Sequence, residues 1–152
     1  FQRMQQIQDL KQRSLFENVR VADFLIEKDR LFAAVTLSAE EMILYEKVYE
    51  HITLDAPTPD LVIYLQAPIE ILKERITKRG NINEQYLTLD YLERLNDAYS
   101  RFFLNYNDAP LLIINASDIN LESNEADYES LISMIMSNPK GKNFINPQPS
   151  II

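Results

Sequence analysis

Four stretches of this chain carry side chains able to do chemistry. The first is Asp23, followed closely by Glu27-Lys28-Asp29-Arg30. Residues 19–25 are rich in β-formers and read as a short strand, which puts Asp23 near a strand end. In open α/β sheets ligands collect outside the carboxyl ends of strands, where an acid can hold Mg²⁺ or accept a hydroxyl proton. The plainer reading is ordinary loop charge. The second stretch is Arg75, Lys78 and Arg79 at the end of a helix. Arg75 and Arg79 are four apart and share a face, so both can converge on one anion, and guanidinium matches phosphate oxygens bidentately. Cations in a last helical turn also complement the macrodipole without any function. The third stretch, Glu84-Gln85, has no specificity of its own. The fourth, Ala116-Ser117-Asp118-Ile119, follows a strand, where a Ser/Asp turn is commonplace.

Composition narrows the chemistry. Only two glycines, Gly80 and Gly141, occur in 152 residues, so GxGxxG cannot be written anywhere. A Walker A loop would need glycine where Met136 stands, and Gly141-Lys142 is followed by Asn143. With no cysteine and one histidine, His51, disulfides, thiolate metal sites and His-rich metal sites are excluded. A reducing compartment, the cytoplasm, is the expected location. A net charge of −8 argues against binding nucleic acid. No apolar run approaches the roughly 18 residues that span a bilayer, so no membrane partner is expected. Hydrophobic residues at 46% and charged residues at 25% are ordinary for a folded globular chain.

The elements that must position these residues alternate in type. Phe1, Met4, Ile7 and Leu10 have helical spacing. Ser38 and Glu41 fit a capping box, opening a helix to about Ile52. Residues 61–65 and 111–114 are almost continuously apolar, the pattern of strands buried on both faces. Between them, Pro68 opens a helix that Gly80 stops, residues 81–86 form a loop, and Thr88 caps a long helix. Tyr128, Leu131, Ile132 and Ile135 mark a last helix, and from Asn138 to Ile152 an irregular tail is expected. Strands alternating with helices mean an α/β fold with a parallel sheet. Three visible strands and no glycine loop suggest the C-terminal part, residues 1–137, of a larger nucleotide-binding domain.

In order, these pieces resemble the deoxynucleoside kinase family, nearest its bacterial deoxyadenosine/deoxyguanosine branch. The likeness rests on residues 21–33, with Asp23-Phe24-Leu25 and Lys28-Asp29-Arg30. It continues through Pro59-Asp60-Leu61-Val62-Ile63-Tyr64-Leu65, Glu74-Arg75-Ile76-Thr77-Lys78-Arg79-Gly80 and Tyr91-Leu92-Glu93-Arg94-Leu95-Asn96. It covers about residues 1–136. The resemblance implies a P-loop kinase-like fold, incomplete in its N-terminal strands, that moves the γ-phosphoryl of ATP to a deoxynucleoside 5′-hydroxyl, with a purine as the expected base.

Further roles follow by motif. Asp23 matches the acid near the 5′-hydroxyl and Mg²⁺. Asp29 matches the acid that helps recognise the base, with Arg3 as its partner. Arg75 and Arg79 match lid arginines that clamp phosphates, and Lys78 lies beside them on the cofactor side. Glu84 matches the lid-end acid that reads the sugar 3′-hydroxyl, and Asp118 falls in the loop lining the adenine of ATP. The family also implies a homodimer.

The chain departs from the pattern at two places. Asp23-Phe24-Leu25 replaces the common Glu-Arg-Ser, and Arg79-Gly80-Asn81 is one cation short of Arg-Gly-Arg. The phosphate loop, its lysine and the general base are expected upstream of Phe1. A non-catalytic remnant or interaction module is the alternative. A nucleoside monophosphate kinase fits the Lys28-Asp29-Arg30 and Tyr64-Leu65-Gln66 contexts less well.

Overall fold

Both long apolar runs become strands, and they pair in parallel in the computed structural model, which describes residues 19–53, 56–84, 86–117, 119 and 124–146. The chain divides into two units, residues 1–58 and 59–152. The helix expected over the first ten residues lies outside the described residues.

In the first unit, α1 (Ile26–Thr36) and α2 (Ala39–Thr53) are joined by a tight turn. The capping box forms as its sequence requires. The Ser38 amide donates to Glu41 Oε2 at 2.9 Å, and the Glu41 amide donates to Ser38 Oγ at 3.3 Å. These bonds hold the Glu41 carboxyl below its ordinary value. Arg30 Nε donates to Glu46 Oε1 at 2.7 Å, tying α1 to α2. Tyr45 and Tyr49 stack with centroids 5.6 Å apart. Burial first, then neighbouring carboxylates, pushes both phenols up to about 12.

Two expectations fail in this unit. Residues 19–25 form no strand: Val19 and Val21 are 76% and 90% exposed, and no described strand lies beside them. β-formers without a neighbouring ladder remain extended chain. Asp23 therefore sits in an exposed bend, and Asp29 lies not in a loop but in the first turn of α1. That helix starts at Leu25 without a side-chain cap, so it lacks the usual start signal.

The second unit is built on β1 (Val62–Gln66), β2 (Leu111–Asn115) and β3 (Lys142–Ile145), in the order β1-β2-β3. All pairs are parallel, with Tyr64, Ile113 and Phe144 in register. β2 is central and buried on both faces, as its apolar run predicts: Leu111, Leu112 and Ile114 are each 1% exposed. β1 departs from expectation. Val62 and Tyr64 are buried, whereas Ile63 and Leu65 remain 38% and 48% exposed. It is an edge strand with only one face covered among the described residues.

Helices α3 (Ile69–Arg79), α4 (Leu89–Asn105) and α5 (Glu125–Met136) complete this unit. Thr88 caps α4 as expected, its Oγ1 accepting from the Tyr91 amide at 3.2 Å. The α4 aromatic residues then cover β1: Phe103 stacks on Tyr64 at 4.2 Å between centroids, and Tyr99 at 6.2 Å. The tail is not irregular throughout. The Leu111 amide donates to the Gly141 carbonyl at 2.8 Å, and residues 142–145 then add to the free edge of β2. Lys142 Nζ donates to the Leu104 carbonyl at the end of α4. This Lys-Asn-Phe-Ile run has no alternation, so backbone pairing orders it rather than a side-chain pattern.

Gly80 ends α3 in the left-handed region, at φ 66°, its amide donating to the Ile76 carbonyl at 3.3 Å. An added Cβ would meet nothing within 4 Å, so only backbone strain opposes a side chain here. Gly80→Ala is expected to lower the unfolding free energy by about 1–2 kcal/mol. Urea denaturation of the two proteins checks this.

Candidate functional site

Because all three strands are parallel, their carboxyl ends share one edge of the sheet. At that edge Gln66 Nε2 donates to Ser100 Oγ at 3.4 Å. After β2 the chain turns sharply. Asn115 Oδ1 accepts from the Ser117 amide at 3.0 Å and from Ser117 Oγ at 2.7 Å. Arg75 crosses from α3 to the same edge, its Nη2 donating to the Ala116 carbonyl at 2.5 Å. One expected phosphate ligand is thus bound to the strand-end loop, and four other guanidinium N–H groups remain as donors.

One turn further along α3, Arg79 occupies the last helical position before Gly80. The left-handed glycine reverses the chain into a 3-10 turn, Ile82–Glu84, which brings Glu84 back to the helix end. Arg79 Nη1 pairs with Glu84 Oε1 at 3.1 Å, and Asn81 Nδ2 donates to the same oxygen at 3.3 Å. The Arg79 side chain is 64% exposed and that of Glu84 only 23%. Glu84 Oε2 is buried without a hydrogen-bond partner among the described residues. An acceptor in that condition is costly unless a donor arrives. The turn therefore presents a cation to solvent and a shielded acceptor beside it.

Of the expected site residues, Arg79 and Glu84 are brought together, Arg75 is placed at the carboxyl edge of the sheet, and Lys78 is exposed in the last turn of α3. Asp23 and Asp29 belong to the other unit. Arg3 and Asp118 lie outside the described residues. Sequence reasoning missed two participants. Asn81 entered it only as a missing cation, although an Asn three residues before a Glu is well spaced to bond it across a turn. The Ala116 carbonyl had no signal, since a backbone acceptor has no residue type. Among the described residues no three His, Cys, Asp or Glu converge as a metal site, and no helix is long and apolar enough to cross a membrane.

Comparison with known proteins bears on the family and the fold. The family model described as deoxynucleoside kinase matches residues 1–138. Deoxyguanosine kinase of Bacillus subtilis is 30% identical over 119 residues, covering 76% of this chain and 58% of that protein. Deoxyadenosine kinase of Lactobacillus acidophilus is 30% identical over 122 residues, covering 71% of this chain and 57% of that protein. The chain thus spans little more than half the length of these relatives. Its fold is shared with a solved deoxyadenosine kinase from M. mycoides, at a TM-score of 0.66 and 24% identity, over 85% of this chain and 67% of that one. The α/β fold with its parallel sheet is therefore of the P-loop kinase-like kind that the sequence implied. On the match over residues 1–138, the chain belongs to the deoxynucleoside kinase family.

Proposed function

We propose that the protein carrying this chain transfers the γ-phosphoryl of ATP to the 5′-hydroxyl of a deoxynucleoside, a purine by preference. The observation that carries this reading is the turn at Gly80, which sets the exposed Arg79 guanidinium beside a shielded Glu84 oxygen lacking a donor. Phosphoryl transfer needs cationic donors on the migrating group and a fixed acceptor alcohol more than covalent help. Arg79 supplies the donors, with Arg75 and Lys78 nearby on α3. Glu84 takes the sugar 3′-hydroxyl, and Asp29, with Arg3, reads the base. Asp118, by motif, serves the adenine of ATP. The relatives are named as deoxyguanosine and deoxyadenosine kinases, and the M. mycoides enzyme was solved with bound dATP, which supports nucleotide use and a purine.

Asp23 suits a magnesium ion held mainly by phosphate. It is a single exposed carboxylate in a bend, and Mg²⁺ commonly takes one or two carboxylates together with substrate phosphates. When bound, Mg²⁺ would offset the charge of those phosphates. The same reading places the protein in the cytoplasm as a homodimer, with Leu89 and Leu104 of α4, 48% and 64% exposed, as apolar surface for pairing. Light scattering at tens of micromolar is expected to give twice the monomer mass; a monomer removes the dimer from the proposal.

The reading is tested by separating these residues from the rest of the enzyme. The 152 residues contain no glycine loop to give backbone N–H groups to the β- and γ-phosphates. Expressed alone, they are expected to form no deoxynucleoside monophosphate from ATP, while the protein that carries them does. Turnover by the 152 residues alone contradicts the need for a phosphate loop outside them, and none by the longer protein contradicts the kinase assignment.

A further inference from the structure

The two oxygens of Glu84 are in different situations. Oε1 accepts from Arg79 and from Asn81, whereas Oε2 is buried and unpartnered among the described residues. An ionised carboxylate accepts only, so what completes Oε2 is a donor from outside the turn. We propose that Glu84 couples the two substrates: a nucleoside hydroxyl on Oε2 fixes the carboxylate, which through Oε1 fixes Arg79 for the phosphates of ATP. This deepens, and rests on, the reading that Glu84 meets the sugar and Arg79 the phosphates.

The physical reason lies in side-chain freedom. The Arg79 side chain is 64% exposed, and an exposed ion pair is weak because two flexible side chains must be held in one geometry. A hydroxyl bound at Oε2 removes the freedom of one of them in advance. Arg79 uses one N–H on Glu84 and keeps others for phosphate, so anchoring and phosphate binding do not compete. The ordering that the nucleoside has already imposed is then not demanded again of ATP, which therefore binds more tightly. By linkage, ATP must tighten the nucleoside by the same factor.

The experiment is calorimetric titration of the full-length protein with a non-hydrolysable ATP analogue, alone and with saturating deoxyadenosine or 2′,3′-dideoxyadenosine. Deoxyadenosine is expected to tighten the analogue by about fivefold or more, the lower end of ordinary coupling. Dideoxyadenosine lacks the 3′-hydroxyl and is expected to leave its affinity within about twofold. Glu84→Gln, saturated with deoxyadenosine, is expected to lose the tightening, because an amide cannot accept through both of its terminal atoms. Equal tightening by the two nucleosides overturns the coupling, using the natural protein alone. Tightening that survives in Glu84→Gln overturns it as well. Failure of both nucleosides to bind overturns the kinase reading itself, whereas binding without coupling overturns the coupling only.

Discussion

Arg79→Ala in the full-length protein is expected to lower kcat for a purine deoxynucleoside by about 10²-fold, as loss of one preorganised donor at a transition state does. The KM for the nucleoside is expected to rise less, since a group on the migrating phosphoryl acts mainly where charge shifts. Some rise follows from Glu84, which loses one of its two partners at Oε1. The competing explanation of Arg79 is that a cation in a last helical turn favours the macrodipole, an effect on stability of about 0.3–1 kcal/mol. A variant within about threefold of the natural kcat decides for that explanation. Arg75→Ala is expected to lower kcat too, with an added signature in urea denaturation. Its loss leaves the Ala116 carbonyl without that donor, and an unsatisfied buried acceptor costs about 1–3 kcal/mol.

Asp29→Asn is expected to reduce kcat/KM for deoxyadenosine or deoxyguanosine by about 10²-fold, the effect of losing a hydrogen bond to a charged group. Affinity for an ATP analogue is expected to change by less than about twofold, which separates base reading from a general defect. Adenine and cytosine offer an exocyclic amine, and guanine offers N1–H and an amine. Thymine sets its one imide N–H between two carbonyls, which a carboxylate repels. The rival reading makes Asp29 the surface partner of Lys28 or Arg30, where pairs contribute little. Arg30 bonds Glu46 at 2.7 Å, and Lys28 Nζ lies 5.9 Å from the centroid of the Phe32 ring. Asp29 is half-buried and close enough to Tyr45 for its charge to help raise that phenol. Unchanged kcat/KM for every deoxynucleoside would decide for the surface pair.

What could be read from the residues follows the strength of their local signals. β2 announced itself because four consecutive apolar residues have nowhere to go but a covered strand, and α4 because Thr88 and an apolar period agree. β3 could not be read, since Lys142 to Ile145 is ordered by the backbone edge of β2, 31 residues away in sequence. α1 lacked a side-chain cap, and the β-formers before it drew attention to a strand that no neighbour among the described residues completes. In the site, Arg79 and Gly80 were legible as a helix end. Glu84 by itself was not: its value comes from a left-handed glycine and a 3-10 turn that fold it back onto Arg79. The bond from Arg75 to the Ala116 carbonyl was beyond reach for the same reason as β3, a backbone partner distant in sequence.

The acceptor of the phosphoryl group decides most directly what this family member does. The full-length protein, given Mg²⁺, ATP and in turn deoxyadenosine, deoxyguanosine and their 5′-monophosphates, can be followed by ³¹P NMR. The expected result is one 5′-monophosphate formed for each ADP released from a purine deoxynucleoside, with no diphosphate formed from the monophosphates. Preferential phosphorylation of the monophosphates, or ATP bound without transfer to any nucleoside, would contradict it.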